Sequence, residues 1–225
     1  MLKTKLALSR ERMRCRKKFL HYFKKGFADQ TYLEWERNYK WMAHLAWEEQ
    51  LNRDNYQQLL EHRQYVEIAL TAVRIESRTN LLFSFEKMAL RDAVKTPAGA
   101  KAFVVGLFKY IYGDDPLRDR FEQFTDVLAS LPRKQTRVLT WPLQTVFGFI
   151  GNPDEHIFLK PRVTRIAAEK YGYEFQYNSR PNWETYQGML GFSEEIGVDQ
   201  ADLQPRDQID TQSFIWVMGS DEYPD

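Results

Sequence analysis

Three cations crowd the start of one short helix. In the stretch LKPRVTRIAAEKYG, Lys160, Arg162 and Arg165 surround Pro161, which reads as the first residue of a helix that stops at Gly172. A helix N-terminus carries partial positive charge, so a cation there costs on the order of a few tenths of a kcal/mol unless an anion sits nearby. Lys160 therefore has three readings: a surface cation, a phosphate contact shared with Arg162 and Arg165, or a desolvated amine able to form a Schiff base. Arg133, Lys134 and Arg137 supply further cations upstream. Glu86, in FSFEKMALRD, has apolar neighbours and reads as a buried acid. It needs a partner such as Arg78 or Arg91, or else it works as a general acid or base. Asp207 reads as the cap of the last helix, and Asp210 as a candidate catalytic carboxylate just inside it. The segment YNSRPNWETY gathers Tyr177, Arg180, Trp183 and Tyr186. An arginine among aromatics can stack a nucleobase, or can simply lie over a tryptophan at a helix start.

Other chemistries lack their residues. No dinucleotide, Walker, nucleophile-elbow or zincin motif is present, so no cofactor is expected. One cysteine, Cys15, forbids a zinc finger and an internal disulfide, and makes a reducing, cytoplasmic compartment the default. The four histidines are scattered; only His44 and Glu48 share a helix face, and no metal site is expected.

Helical signals must position these residues. Caps and stops of the right type recur: Ser9 before the first helix, Asp29 before a long second one, Thr96 with Pro97, Asp115-Pro116, and Pro142. The first helix shows a stripe of Met13, Leu20 and Phe23, and the second one of Tyr32, Trp35, Tyr39, Met42, Ala43 and Ala46. Val66, Ala69, Leu70 and Val73 mark another buried face, and Thr79 or Asn80 is expected to start the helix that holds Glu86. The expected fold is all-α, about ten helices in one body of one or two lobes.

Composition agrees with a folded protein. Of 225 residues, 43% are hydrophobic and 15% aromatic, which argues against disorder. No apolar run approaches the ~20 residues that span a bilayer, so no membrane partner is expected. The net charge of +1 hides an asymmetry. Residues 1–25 hold ten lysines and arginines against one acid, a charge of +9 that leaves −8 for the remainder. Residues 1–28 thus read as a basic arm or helix, and 29–225 as a single helical domain. Such an arm suits a polyanion or an acidic protein.

The stretch 131–172 resembles the core of the helix-hairpin-helix DNA glycosylase superfamily. Leu131-Pro132 matches the start of its hairpin, GNPDEHIF its following turn, and Leu159-Lys160-Pro161-Arg162-Val163 the element that carries its catalytic aspartate. Arg165 and Gly172 fall at the family's arginine and glycine, and DTQSFIWVMG is similar to its closing helix. The resemblance implies a helical core, DNA as partner, and removal of a damaged base or cleavage at an abasic site. Arg133 and Gln135 stand where the family has hairpin glycines, so side-chain cations would replace a backbone phosphate nest. Lys160 stands at the aspartate, the wrong sign for stabilising a departing base, and Asp210 is the carboxylate that could replace it. The expectation is a DNA-associated helical protein with Lys160, Glu86 and Asp210 as catalytic candidates. Arg133, Lys134, Arg137, Arg162, Arg165, Arg180 and Trp183 are the DNA-binding candidates. The alternative is a non-enzymatic interaction or scaffold domain.

Overall fold

The computed structural model describes residues 8–134 and 136–225. Lys3 and Lys5 of the basic run, and Gln135 of the hairpin segment, lie outside the described residues. The fold is all-α. Eleven helices are present among the described residues: α1 (Arg10–Tyr22), α2 (30–51), α3 (Arg53–Glu61), α4 (Tyr65–Glu76), α5 (Ser84–Ala93) and α6 (Pro97–Tyr112), then α7 (Leu117–Ser130), α8 (Trp141–Gly151), α9 (Pro161–Tyr171), α10 (Trp183–Asp199) and α11 (Gln208–Gly219). No helix among the described residues is long and apolar enough to cross a membrane.

α8 is the hub. Its cap, Thr140, accepts from the Leu143 amide, Pro142 occupies its first turn, and every one of its residues is buried. α2, α4, α6 and α7 pack around it. Each large side chain it buries, such as Trp141 or Phe147, stabilises the fold by ~1.5–3 kcal/mol. A second group has α9 and α11 packed together, with α1 against both and α10 against α11, while α3 packs with α2, α4 and α6. α1 belongs to this body rather than standing off it, because Cys15, Phe19 and Phe23 enter the common core. The apolar stripe expected from Met13 is displaced accordingly, and Met13 is exposed.

α9 and α11 cross closely because Gly219 has no side chain; a Cβ there would clash with the Val163 carbonyl oxygen. Gly172 ends α9 in the left-handed region, φ 71°, where its amide reaches back to carbonyls of the last turn.

Two expected faces and one helix start are corrected. α2 is interrupted by a π turn, Leu33–Arg37, which lets one extra residue into the ladder. The buried face then runs Tyr32, Glu36, Arg37, Lys40, Ala43 and Trp47, while Trp35 is 57% exposed and Met42 also faces out. Charged residues take the buried side because partners meet them there: Asp207 and Asp210 for Arg37, Ser213 for Lys40, and Lys40 with Tyr223 for Glu36. In α4, Ala69 and Val73 are buried with Ile68, Ala72 and Ile75, but Val66 and Leu70 are exposed. α5 begins at Ser84 rather than beside Thr79, and Glu86 closes that start by accepting from the Phe83 amide.

Candidate functional site

Lys160 ends an extended segment that leaves α8 and is pinned by hydroxyls. Tyr186 accepts from the Ile157 amide at 3.2 Å, and Thr145 accepts from the Leu159 amide at 3.0 Å. The Lys160 side chain then turns away from the start of α9. Its Nζ donates to the Leu81 carbonyl at 2.8 Å and lies 3.6 Å from the centroid of the Phe83 ring. Burial lowers its pKa, and the charges of Glu86 and Glu76 oppose that shift. The unfavourable helix-start position is thus answered by a carbonyl, an aromatic face and two acids of the chain itself.

Glu86 is buried, as expected, but neither Arg78 nor Arg91 is its partner. One oxygen accepts from the Phe83 amide at 2.9 Å, closing the capping box of α5, and the other accepts from the Thr140 hydroxyl at 3.2 Å. Glu86 therefore joins the start of α5 to the start of α8 and faces Lys160 electrostatically. Beside it, Lys87 donates to the Thr79 carbonyl at 2.9 Å and pairs with Glu76 at 3.4 Å. Burial raises the Glu76 pKa, with Lys87 opposing. Phe83, Phe85 and Met88 are exposed at this corner, and the two phenyl rings stack at 5.6 Å.

Asp210 joins a different cluster. It is fully buried and accepts from Tyr32 at 2.5 Å, from Arg37 at 2.8 Å and from Arg206 at 2.8 Å. Asp207 caps α11 and holds Arg37 at 2.6 Å. Asp210 is thereby committed to locking α11 onto α2, not to the Lys160 corner.

The DNA-binding candidates divide in the same way. Arg162 and Arg165 line a groove of about 520 Å³ along α9, with Tyr173 and Phe175 opposite. Arg165 lies 5.2 Å from the Tyr177 ring, and the charge of Arg137 reaches the same tyrosine. Arg162 pairs with Asp221 at the exposed surface. Arg133 and Lys134 are exposed in the α7–α8 segment, and the charge of Lys134 reaches Asp92. Arg180 is exposed in the turn before α10. Trp183 packs edge-on to Phe121 at 5.9 Å and lines neither groove beside α9.

Across α9 lies a larger groove of about 980 Å³, lined from α1 by Arg14, Lys17, Lys18 and His21 and from α9 by Ile166, Glu169 and Lys170. Ile166 and Glu169 border both grooves, so the two adjoin over one helix. An anion already sits in the larger groove: the Asp225 carboxylate bonds Lys18 at 2.6 Å and Lys170 at 2.8 Å. Those bonds hold its pKa down to about 2. Two other cations of α1 are neutralised within the fold, Arg12 by Glu195 and Asp199 and Arg16 by Asp202. The sequence marked α1 as basic; it had no local signal that Lys170, ten residues beyond Lys160, shares its groove.

Among the described residues no group of three or more histidine, cysteine or acidic side chains is placed to hold a metal. No protein-family model, no curated protein and no solved structure matches this chain.

Proposed function

We propose that the chain is a DNA-associated protein that grips the phosphate backbone over the α1–α9 face and presents Lys160 as a reactive amine for an abasic site. One observation carries this reading: Arg14 and Lys17 of α1 and Arg165 of α9 border adjoining grooves, so their fields add on one face. The resemblance of 131–172 to helix-hairpin-helix glycosylases points to the same partner. Arg165 beside Tyr177 adds an aromatic to the cations, a pairing that suits nucleic acid.

The chemistry of Lys160 follows from its surroundings. An abasic deoxyribose opens to an aldehyde. A neutral Nζ adds to the carbonyl carbon, and loss of water leaves an imine. A solvent water then takes a proton from C2′, and the C3′–O bond breaks, expelling the 3′ phosphate and cutting the strand. Desolvation of Lys160 raises the fraction of neutral amine, as this step requires. Glu86 acts as a positioning residue, because it fixes the α5 start on which the Lys160 chain rests.

The test is binding to a labelled duplex, intact or with one abasic site, across a salt titration. The expected result is affinity that falls steeply with salt and favours the abasic duplex. Borohydride should trap a covalent adduct with the wild type and none with Lys160→Ala. Absence of binding to both duplexes at low salt would remove the DNA reading. A second reading, a non-enzymatic protein-interaction domain, is favoured by the exposed Phe83, Phe85 and Met88. Binding without trapping would leave the chain a DNA binder whose Lys160 is a contact only.

A further inference from the structure

The π turn of α2 turns an aromatic ring outward beside the last helix. Trp35 is more than half exposed, and Phe23 holds it edge-on at 6.3 Å. Tyr39 follows one turn later on α2, and Trp216 of α11 and Tyr223 beyond it complete a pocket of about 380 Å³. Two carboxylates line it with these rings, and no lysine or arginine does. Glu36 lies at its floor, almost fully buried, and accepts from the Tyr223 hydroxyl at 2.6 Å. Glu222 stands at the rim and accepts from the Trp216 indole at 3.2 Å.

We infer that this pocket binds an organic cation of the methylated or quaternary ammonium class. Aromatic faces attract a cation through their quadrupole, and a soft, poorly hydrated ammonium gives up less water to enter than a metal ion or a primary amine. The chain already uses one of these rings so: the buried ammonium of Lys40 lies 5.3 Å from the Tyr39 ring. Lys40 is paired with Glu36 at 3.2 Å and donates to Ser213 at 2.8 Å, so Glu222 is the carboxylate whose charge is left to a ligand. The carboxylates are oriented by the indole and phenol of the pocket itself, so they stand in place before a ligand arrives. This site is separate from the α1–α9 face and does not depend on the DNA reading.

The experiment is calorimetric titration of the full chain with choline and, in parallel, with 3,3-dimethyl-1-butanol, its neutral isostere of the same shape. Saturable binding of choline, at least about tenfold tighter than the isostere, is expected. Trp35→Ala should weaken choline binding severalfold without unfolding the protein, because Trp35 is mostly exposed. Glu222→Gln should weaken it as well, and more at low salt than at high. Equal binding of the two probes would overturn the inference in favour of a plain apolar cleft. No saturable binding of choline, or unchanged affinity in Trp35→Ala, would overturn it outright.

Discussion

Lys160 carries its amine into a corner where burial works against the charge and two carboxylates work for it. The sign of its pH dependence follows. Its folded pKa is lowered, so the unfolded chain holds the proton more tightly, and the cost of burying the ammonium is present at low pH and relieved as pH rises through the folded and then the unfolded value. Lys160→Met should therefore leave the unfolding free energy within about 1 kcal/mol of wild type at neutral pH. The same variant should lose all covalent trapping on abasic DNA. Glu86 behaves oppositely. Glu86→Ala strands the Phe83 amide and the Thr140 hydroxyl and should cost ~1–3 kcal/mol by urea unfolding. These two outcomes together separate a reactive residue from the one that supports it.

α2 and α11 are held by charges rather than by oil alone. Arg37 faces Asp207 and Asp210 across the helices, and Lys40, paired with Glu36 of its own helix, donates to Ser213 of α11; all five charged side chains are nearly removed from water. Truncating one partner of a buried pair leaves the other charge without compensation, so Arg37→Ala should destabilise by ~3–5 kcal/mol in urea melts. The Asp225 carboxylate in the α1–α9 groove belongs to this scale too. It occupies two lysines that a phosphate would need, so Asp225→Asn should raise affinity for duplex DNA severalfold at low salt. Unchanged affinity would place the phosphate path elsewhere on the face.

His156 ties the two helix groups to the pH response of the whole molecule. It is fully buried beside Tyr110 at 4.5 Å, and burial, with the charge of Arg120, lowers its pKa from 6.5 to about 3. The neutral ring is the folded form, so its contact with Glu155 is not an ion pair at neutral pH. The unfolded chain takes up the proton first. Stability is full above pH 6.5, declines as pH falls below it, and stops declining on this account once pH passes about 3. His156→Gln should flatten that decline in denaturant midpoints measured from pH 7 to 4.

Local rules were enough for most of the helices and their ends. Thr96 with Pro97, Pro142, Asn182, Asp207 and Gly172 each act through neighbours a few residues away, so sequence alone places α6, α8, α10, α11 and the stop of α9. It also marks α1 as basic and Glu86 as buried. The faces of α2 and α4 were not legible, since a stripe drawn at 3.6-residue spacing assumes that apolar residues go inward. In α2 the π turn shifts the ladder, and buried partners offset the charges: Asp207 and Asp210 for Arg37, Ser213 for Lys40, and Lys40 with Tyr223 for Glu36. Only the tertiary structure decided the partners across long separations: Lys160 with Leu81 and Glu86, Asp210 with Arg37, and Lys18 with Lys170 around one carboxylate. Such pairs arise from how helices pack, and no local pattern of residue types encodes which helix a charge will meet.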